Sequence, residues 1–289
     1  MDKQHFLNSR LKLKKGKKIQ ILFQLFLNSL LHSWLRLKKK MLGVDYPIVH
    51  YYALCWNEEK ILPFVFDYYD AFVQSFYFYD NDSTDNSEQI IRSKTNAMIT
   101  KFHTEGNDNT IKVKIKNNCW KKSRGKADYV IVCDMDEFIF HPQMKEFLLN
   151  AMKQKKTLFH PHGYEMYAES YPMYKKGCLL TEIVKRGVPS EWYDKCILFD
   201  PCGIVEINYE PGAHKCFPLG CINEVCTPEL KLLHYKNIGV EDVIERYRIY
   251  LKRQSLNDKK QNFSTHYKEK EESIRKRFEE ALSEAEVVV

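Results

Sequence analysis

An α/β fold built on an open sheet is the expectation, and three observations carry it. From residue 48 to residue 133, short apolar runs rich in β-branched and aromatic residues alternate with helical patterns. The runs close in polar residues: Asn57 after the first, Asp80 and Asn81 after the second, and Asp134 after the run Tyr129–Cys133. In an open sheet ligands bind outside the carboxyl ends of the strands, so these polar residues would share one edge.

Taken in order, residues 1–43 form a basic segment with 11 Lys/Arg against one acid, Asp2, a balance of +10. The remaining residues then carry 34 Lys/Arg against 37 Asp/Glu, or −3, so the net +7 belongs to this segment and the body shows no excess that suggests nucleic acid. Between the basic runs 10–18 and 36–40, Ile19 to Leu35 reads as a helix. Gln20, Gln24, Asn28 and His32 make a narrow polar stripe, and apolar residues cover the rest. Seventeen residues with several polar positions are short for a span, and no small-residue cleavage site follows. Two readings stand: an amphipathic helix lying on an anionic membrane surface through residues 10–40, or a helix packed on the body or on a second subunit.

Asp45-Tyr46-Pro47 breaks the chain, and residues 44–256 follow as the main domain. Ile48 to Trp56 is strand-like, and a helix runs from about Lys60 to Phe72 with Pro63 tolerable in its first turn. Phe76 to Tyr79 is the second strand, and Asp82, Ser83 and Asp85 suit the cap of a helix reaching about Lys94. Ala97 to Phe102 is the third strand. Residues 107–127, polar and lysine-rich, read as a loop and a helix. A helix apolar on one face through Val243, Tyr247, Tyr250 and Leu251 spans Val240 to Leu251, and residues 257–289 read as a charged, exposed C-terminal helix. Nine cysteines lack any Cys-x-x-Cys spacing. They read as reduced thiols, with a zinc site among Cys196, Cys202, Cys216, Cys221, Cys226 and His214 as the alternative.

The chemistry centres on Asp134, Met135, Asp136 and Glu137. Three carboxylates in four residues are costly unless something positive sits among them. On an extended backbone Asp134 and Asp136 would point the same way and clamp a divalent cation that also holds substrate phosphates. A solvated acidic turn is the competing reading.

Three blocks, Cys55-Trp56-Asn57-Glu58-Glu59, Tyr79-Asp80-Asn81-Asp82-Ser83-Thr84-Asp85-Asn86-Ser87 and Cys133-Asp134-Met135-Asp136-Glu137-Phe138, resemble family-2-type glycosyltransferases of the GT-A fold. They are most similar to the branch whose metal motif reads Asp-x-Asp-Glu-Phe. Asp194-Lys195 to Pro201, Pro211-Gly212-Ala213-His214 and Leu233-His234-Tyr235-Lys236 extend the resemblance over about residues 47–255.

The resemblance implies a Rossmann-like open mixed sheet of the nucleotide-diphosphosugar transferase type. It implies transfer of a sugar from a nucleotide-diphosphosugar, a UDP-sugar foremost, to a glycan; the lysine-rich N-terminal segment motivates a lipid-linked polysaccharide acceptor at the cytoplasmic face of a membrane. Cys55, Asn57, Glu58, Asp80, Asn81 and Asp134 would hold the nucleotide, with Arg124 or Lys126 reaching the diphosphate. Asp136 would ligate Mn²⁺ or Mg²⁺, Asp134 would assist, and His234 would be a late-chain ligand, with His214 a second candidate for metal or acceptor. An inverting transfer needs a carboxylate base, for which Glu165 and Glu169 are candidates and Glu191 and Asp194 rivals. A nucleotidyltransferase and an inactive nucleotide-sugar-binding scaffold are the alternative functions.

Overall fold

The computed structural model describes residues 15–289; Arg10 to Lys14, the start of the first basic run, lie outside the described residues. Its long N-terminal helix, α1, spans Lys15–Met41, several residues beyond the apolar run at each end. Four parallel strands follow: β1 (Val49–Cys55), β2 (Ser75–Asp80), β3 (Ala97–Lys101) and β4 (Tyr129–Asp134), in the spatial order β3-β2-β1-β4. The connections carry α2 (Leu62–Tyr69), α3 (Ser87–Arg92) and α4 (Asn109–Lys116), the last followed by a 3₁₀ turn at Cys119–Ser123. Pro63 sits in the first turn of α2, where its missing N–H costs nothing. Asp108 caps α4 by accepting from the amides of Thr110 and Ile111.

The second half is mixed. It comprises β5 (Glu137–Phe140), α5 (Met144–Lys153), β6 (Leu158–Ala168), α6 (Leu180–Ile183), β7 (Arg186–Pro189) and β8 (Leu198–Phe199). A short ladder of β9 (Ile204–Glu206) and β10 (Leu219–Gly220) follows, then β11 (Glu224–Ile238), which lies parallel to β6 and antiparallel to β5. The chain closes with α7 (Val240–Lys252), α8 (Leu256–Lys260), α9 (Glu271–Glu284) and β12 (Glu286–Val287). Ten strands thus make one sheet among the described residues, and the expected α/β class with an open mixed sheet is the one observed.

Burial explains why these runs are strands. All seven residues of β1 are buried, with Tyr51, Ala53 and Cys55 in the larger core and Tyr52 in a smaller one on the other face. In β4, Tyr129, Ile131 and Cys133 join the larger core while Val130 and Val132 join the smaller. Side chains alternate with period two, and a sheet covered on both faces needs apolar residues at both phases.

Two expectations change. The C-terminal residues are not one exposed helix: β12 pairs antiparallel with β7, Val288 is buried, and Lys231 Nζ donates to its carbonyl at 2.7 Å. The edge of β7 has free backbone groups, and Glu286–Val287 satisfies them. In α7 the buried residues are Val243, Ile244 and Tyr247, whereas Leu251 faces out.

The polar stripe of α1 faces the body. Asn28 is fully buried and donates to the Cys202 carbonyl at 2.9 Å, Gln24 donates to Asn28, and Lys39 pairs with Asp128 at 2.6 Å. Ile21 and Leu35 are buried on the same side, and Gln20 alone of the stripe is exposed. No helix among the described residues is long and apolar enough to cross a membrane.

Candidate active site

A cleft of about 650 Å³ opens at the carboxyl edge of the parallel strands, a size suited to a nucleotide-sized ligand. β1 delivers Cys55, Trp56 and Glu58 to it, β2 delivers Asn81, and β4 delivers Asp134, Met135 and Asp136. The β4 strand stops at Asp134, and Met135 and Asp136 form the turn into β5. Asp134 and Asp136 therefore meet in the cleft through a turn, not through the pleat of an extended strand.

The crowding of three carboxylates is resolved by three different partners. Glu137 is buried, pairs with Lys195 at 2.5 Å and accepts from the amide of Asp134 at 3.0 Å, so it closes the turn. Asp134 pairs with Lys116 of α4 at 2.8 Å. Burial pushes its carboxyl up, but Lys116 and Lys195 outweigh burial and hold it below the ordinary range. Asp136 lies 3.6 Å from His234 Nε2 and 3.7 Å from Arg246 of α7. Burial opposes its ionisation too, yet His234, Arg246 and Lys236 keep it an anion.

His234 is buried and stacks on Tyr193, and its Nδ1 has no hydrogen-bond partner. His214 also lines the cleft. Its Nδ1 donates to the Trp192 carbonyl at 2.8 Å, and burial and Lys195 push its pKa down to about 3, so the ring is neutral. Gly212 (φ +81°) lets this ring come close: a Cβ there would lie 2.5 Å from His214 Cδ2. Glu58 is pushed up to about 8 by burial and by Asp136, which makes it a neutral acid at pH 7.

Several expected residues stand elsewhere. Asp80 is buried and accepts from the Ser83 hydroxyl and amide, which closes the turn after β2. Asn57 bonds Thr84, and Asn81 lines the cleft with its amide spent on Thr104. Arg124 does not line the cleft: it donates to the carbonyls of Pro201 and Val205 and covers Trp120. Lys126 is exposed. Both precede β4, so they sit at its amino end, the opposite edge from Asp134. Glu165 is half-buried, accepts from the Tyr167 hydroxyl and lies beside Tyr193 and Lys236 of the cleft wall without lining the cleft itself, and Glu169 is exposed beyond the end of β6. Asp194 is spent on the Gly163 amide, and Glu191 is exposed.

The cations that do reach the cleft are Lys112 and Lys116 of α4, Lys195, Lys236 and Arg246. Lys112 and Lys236 make no ion pair among the described residues. Burial lowers both, Lys236 to about 8. Lys112 and Lys116 are four apart on one helix face, a spacing visible in the sequence. Trp56, Phe102 and Asn107 also line the cleft, with Arg253 over the Trp56 ring at 3.2 Å and Asn107 Oδ1 buried without a partner. Residues 262–267 complete the lining, so the chain beyond 257 takes part in the site.

Among the described residues no three His, Cys, Asp or Glu side chains are grouped to hold a metal. The late cysteines therefore make no zinc site among the described residues: Cys196 lies beside Cys216 and meets His160 at 3.3 Å, and Cys226 meets His162 at 3.8 Å. Asp136 and His234 are a pair of potential ligands.

No family model and no curated protein matches the chain. Among solved structures it is similar to glucosyl-3-phosphoglycerate synthase from Mycobacterium tuberculosis with phosphoglyceric acid, at 16% identity over 42% of this chain and 44% of that one, TM-score 0.29. The same synthase with Mn²⁺, uridine diphosphate and phosphoglyceric acid gives 15% identity over 43% and 46%, TM-score 0.29. GalNAc-T7 with UDP, GalNAc and Mn²⁺ gives 10% identity over 46% of this chain and 26% of that one, TM-score 0.33. The chain thus spans less than half of each of these structures. Glycosyltransferases are among its structural neighbours, and at such TM-scores the likeness decides nothing about the site.

Proposed function

We propose that the chain is a metal-dependent GT-A glycosyltransferase that moves a sugar from a nucleotide-diphosphosugar, a UDP-sugar first, to a glycan acceptor. The observation that carries this reading is the surplus of cations beside Asp136 and His234. Lys112 and Lys236 are half-buried with acids near them but none in ion-pair contact among the described residues, a costly arrangement that a diphosphate would relieve by supplying closer negative charge. Lys112, Lys236 and Arg246 would bind that diphosphate, and Lys116 would hold Asp134 in place. The buried Asn107 Oδ1 would accept from a base N–H beside Trp56 and Phe102.

The donor set suits a hard divalent cation, which takes one or two protein ligands plus phosphate oxygens. Asp136 and His234 would hold Mn²⁺ or Mg²⁺, with Nε2 of His234, the ring nitrogen that faces Asp136, as the ligand atom. Bound there, the cation would neutralise charge on the departing diphosphate.

The base follows by elimination among the acids lining the cleft. Burial and the neighbouring Asp136 raise Glu58, Asp134 is tied to Lys116, and Asp136 faces His234 and Arg246. Glu210, next to the His214 turn, is in no ion pair among the described residues. In an inverting transfer the acceptor hydroxyl gives its proton to Glu210 as its oxygen bonds the anomeric carbon. The bond from that carbon to the diphosphate oxygen breaks, and the nucleoside diphosphate leaves onto Lys112, Lys236 and Arg246. A lipid-linked polysaccharide precursor at the cytoplasmic face of a membrane is the finer reading of the acceptor.

The test is calorimetric binding of UDP with Mn²⁺ or with EDTA, followed by donor hydrolysis across UDP-, GDP-, CMP- and dTDP-sugars. The expected result is binding that needs metal, with Asp136→Asn lowering turnover on the order of a thousandfold. Glu210→Gln should keep the binding and lose on the order of a hundredfold or more in turnover. Nucleotide binding indifferent to both EDTA and Asp136→Asn overturns the reading.

A further inference from the structure

We infer that the outward face of α1 is a docking surface for a bilayer carrying anionic headgroups. This rests on α1 alone and not on the transferase reading. The helix packs the wrong way round for a soluble protein. Its buried seam carries Asn28 and Lys39, with His32 half-buried, beside Ile21 and Leu35, and most of its other apolar residues face water. Phe23, Phe26, Leu30, Trp34, Leu37 and Met41 recur at spacings of three and four, which aligns them along one face; Phe23 is 62% and Trp34 61% exposed. A continuous apolar stripe left in solvent marks an interaction surface, where scattered single residues would not.

The orientation is fixed by bonds, not by default. Asn28 donates to the Cys202 carbonyl and Lys39 pairs with Asp128, so rotating the stripe inward would strand a buried amide and a buried charge. The helix therefore presents its apolar face on a rigid body.

Charge selects the occupant. Lys15, Lys17 and Lys18 stand at one end of α1, Arg36, Lys38 and Lys40 at the other, and the helix holds no acid. Two copies pairing along this stripe would bring basic ends together in either direction, a repulsive arrangement. A sheet of anionic headgroups over an apolar interior complements both the stripe and its flanks, and Trp34 suits the interface. The surface proposed is the outward face of α1, and no helix among the described residues is long and apolar enough to cross a membrane.

The experiment is flotation of the full chain with vesicles of phosphatidylcholine alone or mixed with phosphatidylglycerol, alongside light scattering without lipid. Binding to the mixed vesicles is expected to exceed that to phosphatidylcholine at least tenfold. Phe23→Ser/Phe26→Ser/Trp34→Ser should abolish it with an unchanged melting curve, because all three side chains are already in water. Lys15→Glu/Lys17→Glu/Lys18→Glu should cut binding to the mixed vesicles several-fold and leave that to phosphatidylcholine unaltered. Equal flotation of the triple serine variant and the wild type overturns the proposal. So does a chain that never floats, whether it is a dimer that the serine variant dissociates or a monomer. UDP binding by the same samples is expected to be unaffected, which separates this result from the fate of the catalytic reading.

Discussion

Strand β4 has a lysine-paired aspartate at each end, and the two pairs do different work. Before the strand, Asp128 pairs with Lys39 at 2.6 Å and also accepts from the Ile48 amide at 2.8 Å. After it, Asp134 pairs with Lys116 at 2.8 Å. The distances are alike; the surroundings are not. The Asp128 side chain is 3% exposed and that of Asp134 is 40% exposed. At the amino end the charges are saturated and sealed, and α1 is fastened to the sheet. At the carboxyl end the pair opens on a cleft where Lys112 and Lys236 have no partner among the described residues. An ion pair closed to water is a staple; one left open beside spare cations is part of a binding site.

The sharpest way to break that contrast is to remove each aspartate in turn. Asp128→Ala strands Lys39 in the interior and should cost about 3–5 kcal/mol in chemical denaturation, with nucleotide affinity of the folded fraction unchanged. Asp134→Asn keeps a hydrogen-bond acceptor for Lys116 and should cost about 1 kcal/mol, while UDP affinity falls about tenfold. If the stability loss followed Asp134 and the binding loss followed Asp128, the assignment of the two ends would be reversed. Next in size is Lys112→Met. It should weaken UDP binding by on the order of tenfold to a hundredfold and leave uridine binding unchanged, as the proposed contact of that lysine with the diphosphate requires. An equal loss for both ligands would place Lys112 at the base end of the cleft.

Much of this was legible in the sequence, and the gaps have physical causes. The strands of the parallel half were readable because a sheet buried on both faces demands largely apolar runs, as at Val49–Cys55, where His50 is the one polar residue, and Tyr129–Cys133. The demand for positive charge around Asp134, Asp136 and Glu137 was also readable, but its sources were not. Lys195 and Arg246 lie far along the chain and arrive only through tertiary packing. Lys112 and Lys116 carried a local signal, their shared helix face, yet the eye falls on the denser basic run at 121–126. The helix of α1 was visible from its periodicity, but the turning of its polar stripe inward was not. Apolar periodicity alone favours the opposite orientation, and the deciding partners, Cys202 and Asp128, are remote. Val287 to Val289 had no signal at all, because an edge strand takes its meaning from the edge it completes.

The smallest effect is the most direct check on how a strand sorts its flanking residues. Arg124 and Lys126 are as basic as Lys112 and Lys116 and lie within ten residues of Asp134, but the whole length of β4 separates them from it. Six residues of strand span roughly 20 Å, more than either side chain bridges. Lys126→Met should therefore change UDP affinity less than about twofold and stability by no more than about 0.5 kcal/mol. Arg124→Met should leave UDP affinity alone as well and cost about 1–3 kcal/mol, because it frees the buried carbonyls of Pro201 and Val205. A tenfold loss of UDP affinity in Lys126→Met, measured by the same calorimetry, would mean that the diphosphate lies at the amino edge of the sheet.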